Sequence, residues 1–142
     1  MIGTDILCAN DLIVEPNREG WQLRLPDGTA HRCAIGRGGV AEKRGEGDGI
    51  TPVGRWPVRR VLYRPDRLAP PETALPVAAI DPADGWCDDP KDPANYNRQV
   101  TKPYAGSHEA MWRDDRLYDL IVVLGFNDDP PAAGAGSAIF LH

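Results

Sequence analysis

Gly136-Ser137-Ala138-Ile139-Phe140-Leu141-His142 is a short apolar run with a small-residue lead and a histidine at its end. Gly134-Ala135-Gly136 supplies a turn before it. Branched and aromatic residues in the middle, glycines in front and no continuation of helical length predict a strand. A histidine where a strand stops is rigidly held and titrates near neutrality, which suits His142 to proton transfer. The plainer reading is a surface histidine, because most lone histidines do no chemistry.

Immediately upstream, Leu117-Tyr118-Asp119-Leu120-Ile121-Val122-Val123-Leu124-Gly125-Phe126-Asn127 predicts a strand and its exit turn. It is apolar nearly throughout, the pattern of a strand covered on both faces. Further back, residues 12–15, 21–25 and 29–35 read as three strands joined by turns at 16–20 and 26–28, with Trp21, Leu23 and Leu25 on one inward face. Residues 56–63 and 76–80 add two more, Pro57 suggesting an edge or early position. Residues 107–113 give the best helix, with Ser107 as cap and Glu109 in the first turn. Fifteen glycines and fourteen prolines break the chain into short segments. The expected fold is therefore mostly β, a sandwich or curved mixed sheets with one or two short helices.

The 142 residues suffice for one domain with one sizeable core. A net charge of −5 argues against a nucleic-acid partner, and no apolar run approaches a membrane span. Arg55, Arg59, Arg60, Arg64 and Arg67 nonetheless cluster in one stretch. A charge run of this kind usually marks a solvated face; the functional alternative is attraction to carboxylate-bearing peptides or an anionic polymer. Three cysteines cannot all pair, so no disulfide framework is implied. No apolar segment precedes Cys8, so no secretory or lipoprotein signal is read.

Three site readings fail on spacing. Gly36-Arg37-Gly38-Gly39-Val40-Ala41 has the glycines of a dinucleotide fingerprint, but the glycines and Pro52 that follow leave no helix to receive a pyrophosphate. A long, exposed, flexible loop is expected there instead. Asp88, Asp89 and Asp92 lack calcium-loop spacing. His31, Cys33, Cys87 and His108 lack the paired spacings of a zinc site. No metal or cofactor is called for, and Cys33 and Cys87 are expected to be buried and non-catalytic.

Taken in order, Glu46-Gly47-Asp48-Gly49-Ile50-Thr51-Pro52-Val53-Gly54, Gly85-Trp86-Cys87-Asp88-Asp89-Pro90, Tyr96-Asn97-Arg98 and the terminal GSAIFLH resemble the YkuD-type L,D-transpeptidase catalytic domain, in a short form without appended modules. The resemblance runs from about Cys33 to His142. It implies one transpeptidase-like domain over residues 1–142, acting on peptidoglycan stem peptides and open to β-lactams of the carbapenem class. In that family a cysteine thiolate forms a thioester with a peptide carbonyl, and an amine resolves it. His142 matches the base. Trp86, Asn97, Arg98 and Asn127, in the most distinctive loops, are the expected substrate-binding residues; loop-fixing hydrogen bonds are the plain alternative for the two asparagines. The family's Ser/Thr-x-Gly-Cys nucleophile motif does not occur in these residues. The expectation is a domain lacking its nucleophile segment and inactive as it stands; a non-catalytic cell-wall peptide-binding module or pseudoenzyme is the alternative. The resemblance implies a periplasmic or cell-wall location, and the missing signal leaves a cytoplasmic one open.

Overall fold

The computed structural model describes residues 9–142. Its strands are β1 Ile13–Asn17, β2 Gly20–Arg24, β3 Ala30–Cys33, β4 Val40–Ala41, β5 Thr51–Pro52, β6 Val58–Tyr63, β7 Val77–Ala79, β8 Asp84–Cys87, β9 Gln99–Thr101, β10 His108–Ala110, β11 Leu120–Leu124 and β12 Phe140–Leu141. None of the described residues forms a helix, so the fold is mostly β, as the short segments and turn residues predict.

The largest sheet has the order β12-β11-β6-β7. β11 runs antiparallel to both β6 and β12, while β6 and β7 are parallel. Opposite it lies the antiparallel sheet β10-β8-β9. Alternation along the strands turns Leu62, Ile121 and Val123 to one side, where they join Ile80, Trp86, Met111 and Tyr118 in a common core, with Phe140 and Ala138 packed against it. The other face of β11 is more open: Leu120 is exposed, and Val122 and Leu124 are half-buried. This strand is thus covered fully on one face, not both.

Residues 107–113 are the clearest departure from expectation. His108, Glu109 and Ala110 pair with Cys87, Trp86 and Gly85 as β10. The Ser107 N–H, instead of its hydroxyl, is engaged, donating to the Asp89 carboxylate at 3.1 Å. A seven-residue segment makes too few helical hydrogen bonds to repay nucleation, and an open edge of β8 offers a ladder at once.

β1, β2 and β3 form a separate antiparallel meander. Its expected inward face is no better covered than the polar one, Trp21, Leu23 and Leu25 being half-buried like Gln22 and Arg24 between them. Cys33, at the end of β3, is correspondingly only part-buried, whereas Cys87 is fully buried. The glycine-rich segment after β3 is tied down where a flexible loop is expected. The Asp48 carboxylate accepts from Lys43 Nζ at 2.6 Å and from the N–H groups of Arg44, Gly45 and Ile50. That ring of donors sets up the parallel pair β4–β5 and buries Ile50.

The arginine run also divides. Arg64 is buried, clamped by Asp66 through two 2.9 Å bonds, with its guanidinium carbon 3.7 Å from the Trp112 ring centroid. It is a packing residue, and the run is not a uniformly solvated face.

Candidate active site

Asn97 ties its own turn to strand β8, the Phe126-Asn127 loop and the segment before β12. Its Oδ1 accepts from the Trp86 indole N–H at 2.9 Å and from the Ala138 N–H at 3.0 Å. Its Nδ2 donates to the carbonyls of Phe126 at 3.0 Å and Asn127 at 2.8 Å. That uses both donors and both acceptor sites of a buried amide. The backbone is left-handed here, with φ of 54°, which an asparagine tolerates better than most residues.

A second junction forms at Glu46. Its Oε2 accepts from Ser137 Oγ at 2.7 Å and from the Tyr96 hydroxyl, and that hydroxyl accepts from the Gly136 N–H at 2.9 Å. Burial first, then the bond to Glu46, pushes the Tyr96 phenol up to about 12. Asn127, also left-handed at φ 49°, donates from Nδ2 to the carbonyls of Ala132 and Gly136 and accepts from the Ala132 N–H. Residues 136–138, which lead into β12, are therefore held from the Glu46 loop, the Tyr96-Asn97 turn and the Asn127 loop together.

His142 follows β12 directly. Leu141 pairs with Val122, which fixes the histidine beside the end of the core. The imidazole is exposed and stands edge-on to the Tyr118 ring, centroids 5.2 Å apart. Among the described residues it has no hydrogen-bond partner, which leaves the exposed ring free of a competing bond for proton exchange. The Tyr118 hydroxyl donates to Glu109, and burial together with this bond holds it well above the usual phenol range. Tyr118 is thus a neutral, fixed wall beside the imidazole.

Between the two sheets, at the Val123–Leu124 end of β11, opens a cavity of about 380 Å³. Trp86, Asn97 and Arg98 line it, along with Phe140 and Ile139 of the histidine-bearing segment; Asn127 and His142 lie outside its lining. Trp86 meets Phe140 edge-on, centroids 5.0 Å apart. Of the residues expected to bind substrate, Trp86, Asn97 and Arg98 thus line the cavity, and the polar atoms of the two asparagines are committed to bracing the loops around it.

Sequence reasoning assigns no site role to Glu46, Asp48, Tyr96 or Glu109, and reaches Arg60 only as one of five arginines in a run. The first three sit inside quoted motifs, which is the signal that points to them. Glu109 was hidden by its helical reading, and Arg60 by its place in a charge run.

No curated protein and no solved structure matches the chain. A family model, YkuD, the L,D-transpeptidase catalytic domain, matches residues 13–142. That span includes every strand described above and both junctions behind His142, and the chain belongs to the YkuD family of L,D-transpeptidase catalytic domains.

Proposed function

We propose that this domain serves L,D-transpeptidase-type acyl transfer on peptidoglycan stem peptides, with His142 as general base and the cavity beside β12 as part of the peptide-binding cleft. The observation that supports it is the convergence of the Glu46 and Tyr96-Asn97 motifs on residues 136–138 of the terminal motif, with Trp86 bonded to the same Asn97, which fixes the approach to His142. A thiol attacking a peptide carbonyl must lose a proton, and the departing amine must gain one; a rigid, exposed imidazole can do both. The resulting thioester is resolved by a second amine. The thiol belongs to a Ser/Thr-x-Gly-Cys segment, which does not occur within residues 1–142. Such a reaction places the protein in the periplasm or cell wall, where stem peptides are.

The test uses a chain that continues through such a segment. His142→Ala should cut acyl transfer by about 10²–10⁴, the usual worth of a positioned base. Near-normal turnover removes the role. A second reading, a binding module without chemistry, is favoured by a cavity whose guanidinium-lined wall needs no thiol to hold a peptide. Stem-peptide binding with no turnover, in the chain carrying the cysteine, would select it.

A further inference from the structure

We propose that Arg60 and Arg98 form a carboxylate clamp at the cavity beside β12, holding a free carboxylate of a short peptide. The proposal rests on the preceding functional reading for the identity of the peptide, and on the geometry alone for the carboxylate.

Within the arginine run, Arg55, Arg59, Arg64 and Arg67 each hold an aspartate at 2.6–2.9 Å. Arg60 does not. Its Nη2 donates to the neutral side-chain amide oxygen of Gln99 at 3.1 Å, and its guanidinium lies 5.8 Å from the Trp86 ring centroid. The Gln99 bond and the Trp86 ring hold the fork while leaving most of its five N–H donors uncommitted. Arg98 enters the same cavity from the turn before β9, is exposed, and has no side-chain partner among the described residues. Arg59, also on the cavity wall, is already neutralised by Asp128 through bonds of 2.9 and 3.1 Å. The lining therefore carries three guanidiniums and one carboxylate, on a protein whose net charge is −5. Two planar forks lining one polar pocket suit a planar carboxylate, which accepts paired N–H donors.

The direction of the occupant follows from strand register. Arg60 pairs with Val123, and Val123 with Phe140, so the three form a row across β6, β11 and β12. His142 stands two residues further along, about 7 Å at ordinary strand rise. In the proposal the rest of the peptide runs outward along the β12 edge of the sheet, the side on which His142 stands, because the buried Leu62 and Ile121 close the route between the sheets.

Calorimetric titration of the chain with a synthetic stem tetrapeptide tests this, using the free acid and the same peptide with every carboxyl amidated. Arg98→Gln and Arg60→Gln should each weaken binding of the free acid by about tenfold, the usual cost of losing a hydrogen-bonded ion partner. The amidated peptide should bind wild type and variants equally weakly, and Arg18→Gln, a remote charge control, should match wild type. Arg98→Gln carries the test alone if loss of the Arg60–Gln99 bond perturbs folding. Wild-type affinity in Arg98→Gln, or equal binding of acid and amide, overturns the clamp. Displacement of the peptide by methyl phosphate more readily than by acetate also overturns it, pointing to a phosphate polymer. An unrelated acidic peptide bound as tightly, with the same arginine dependence, keeps the clamp and removes the cell-wall reading.

Discussion

Ser137 Oγ donates to Glu46 Oε2 at 2.7 Å across 91 positions of sequence. The Tyr96 hydroxyl donates to the same oxygen, so one carboxylate ties the glycine-rich loop to the segment leading into β12. Glu46→Ala leaves both hydroxyls without this acceptor. It should cost about 1–2 kcal/mol, since each hydrogen bond to a charged group is worth more than a neutral one but Glu46 is exposed to water. Urea unfolding reads the loss, with Glu46→Gln expected in between. An unchanged midpoint for Glu46→Ala would mean that the bridge contributes nothing to stability.

Asn97→Asp separates donor from acceptor at the other junction. Oδ1 could still accept from Trp86 and Ala138, but no N–H would face the carbonyls of Phe126 and Asn127. A buried carboxylate against two carbonyl oxygens is expected to cost about 2–4 kcal/mol at neutral pH. The same denaturant measurement applies, and a loss below about 0.5 kcal/mol would refute the brace. Broadened amide signals for residues 136–142 should accompany the change.

Much of this arrangement was legible in the chain, and the exceptions have physical causes. The apolar run at residues 120–124 and the turn residues around it announced a β core, because strand signals are local. The motif order was enough to suggest the family. What stayed hidden depends on partners far away in sequence. Residues 107–113 look helical until the edge of β8 is there to pair with them. Arg64 looks solvated until Trp112 lies under its guanidinium. Asn97 and Asn127 were singled out for binding, yet most of their polar atoms are committed to loops 29–41 and 5–9 positions away. Polar side chains at such junctions carry no periodicity, so spacing alone does not separate a brace from a binding group.

Asp48 makes the glycine-rich loop sensitive to acid. The Lys43 ammonium, then the Ile50 N–H and two further backbone donors, hold its carboxyl well below the ordinary value of 3.8. The folded state therefore binds this proton less readily than the unfolded chain does. The stabilisation is fully present above the unfolded value and is lost as pH falls through the folded one. Asp48→Asn should melt lower than wild type at neutral pH, and the gap should close as pH drops below about 4. A gap that stays constant down to pH about 2 would show that the charge of Asp48 is not what holds the loop.

Neither Cys33 nor Cys87 is placed to act as an acylated nucleophile. Cys87 is fully buried between β9 and β10, its sulfur 3.2 Å from the Tyr104 hydroxyl. Cys33 ends β3 in the outlying meander, and burial pushes its thiol pKa up, away from the thiolate that attacks a carbonyl. Among the described residues no activating base is bonded to either sulfur. Incubation of residues 1–142 with a carbapenem should therefore leave the peptides that contain them at their unmodified masses. A chain continued through a Ser/Thr-x-Gly-Cys segment should instead gain one adduct on that added cysteine. The adduct should form more slowly in His142→Ala, because the thiol then lacks its base. A single stoichiometric adduct on Cys33 or Cys87 in the folded protein would place the nucleophile inside the described fold and displace the proposed thiol. Equal adduct rates with and without His142 would leave the thiol in place and remove the histidine from its activation.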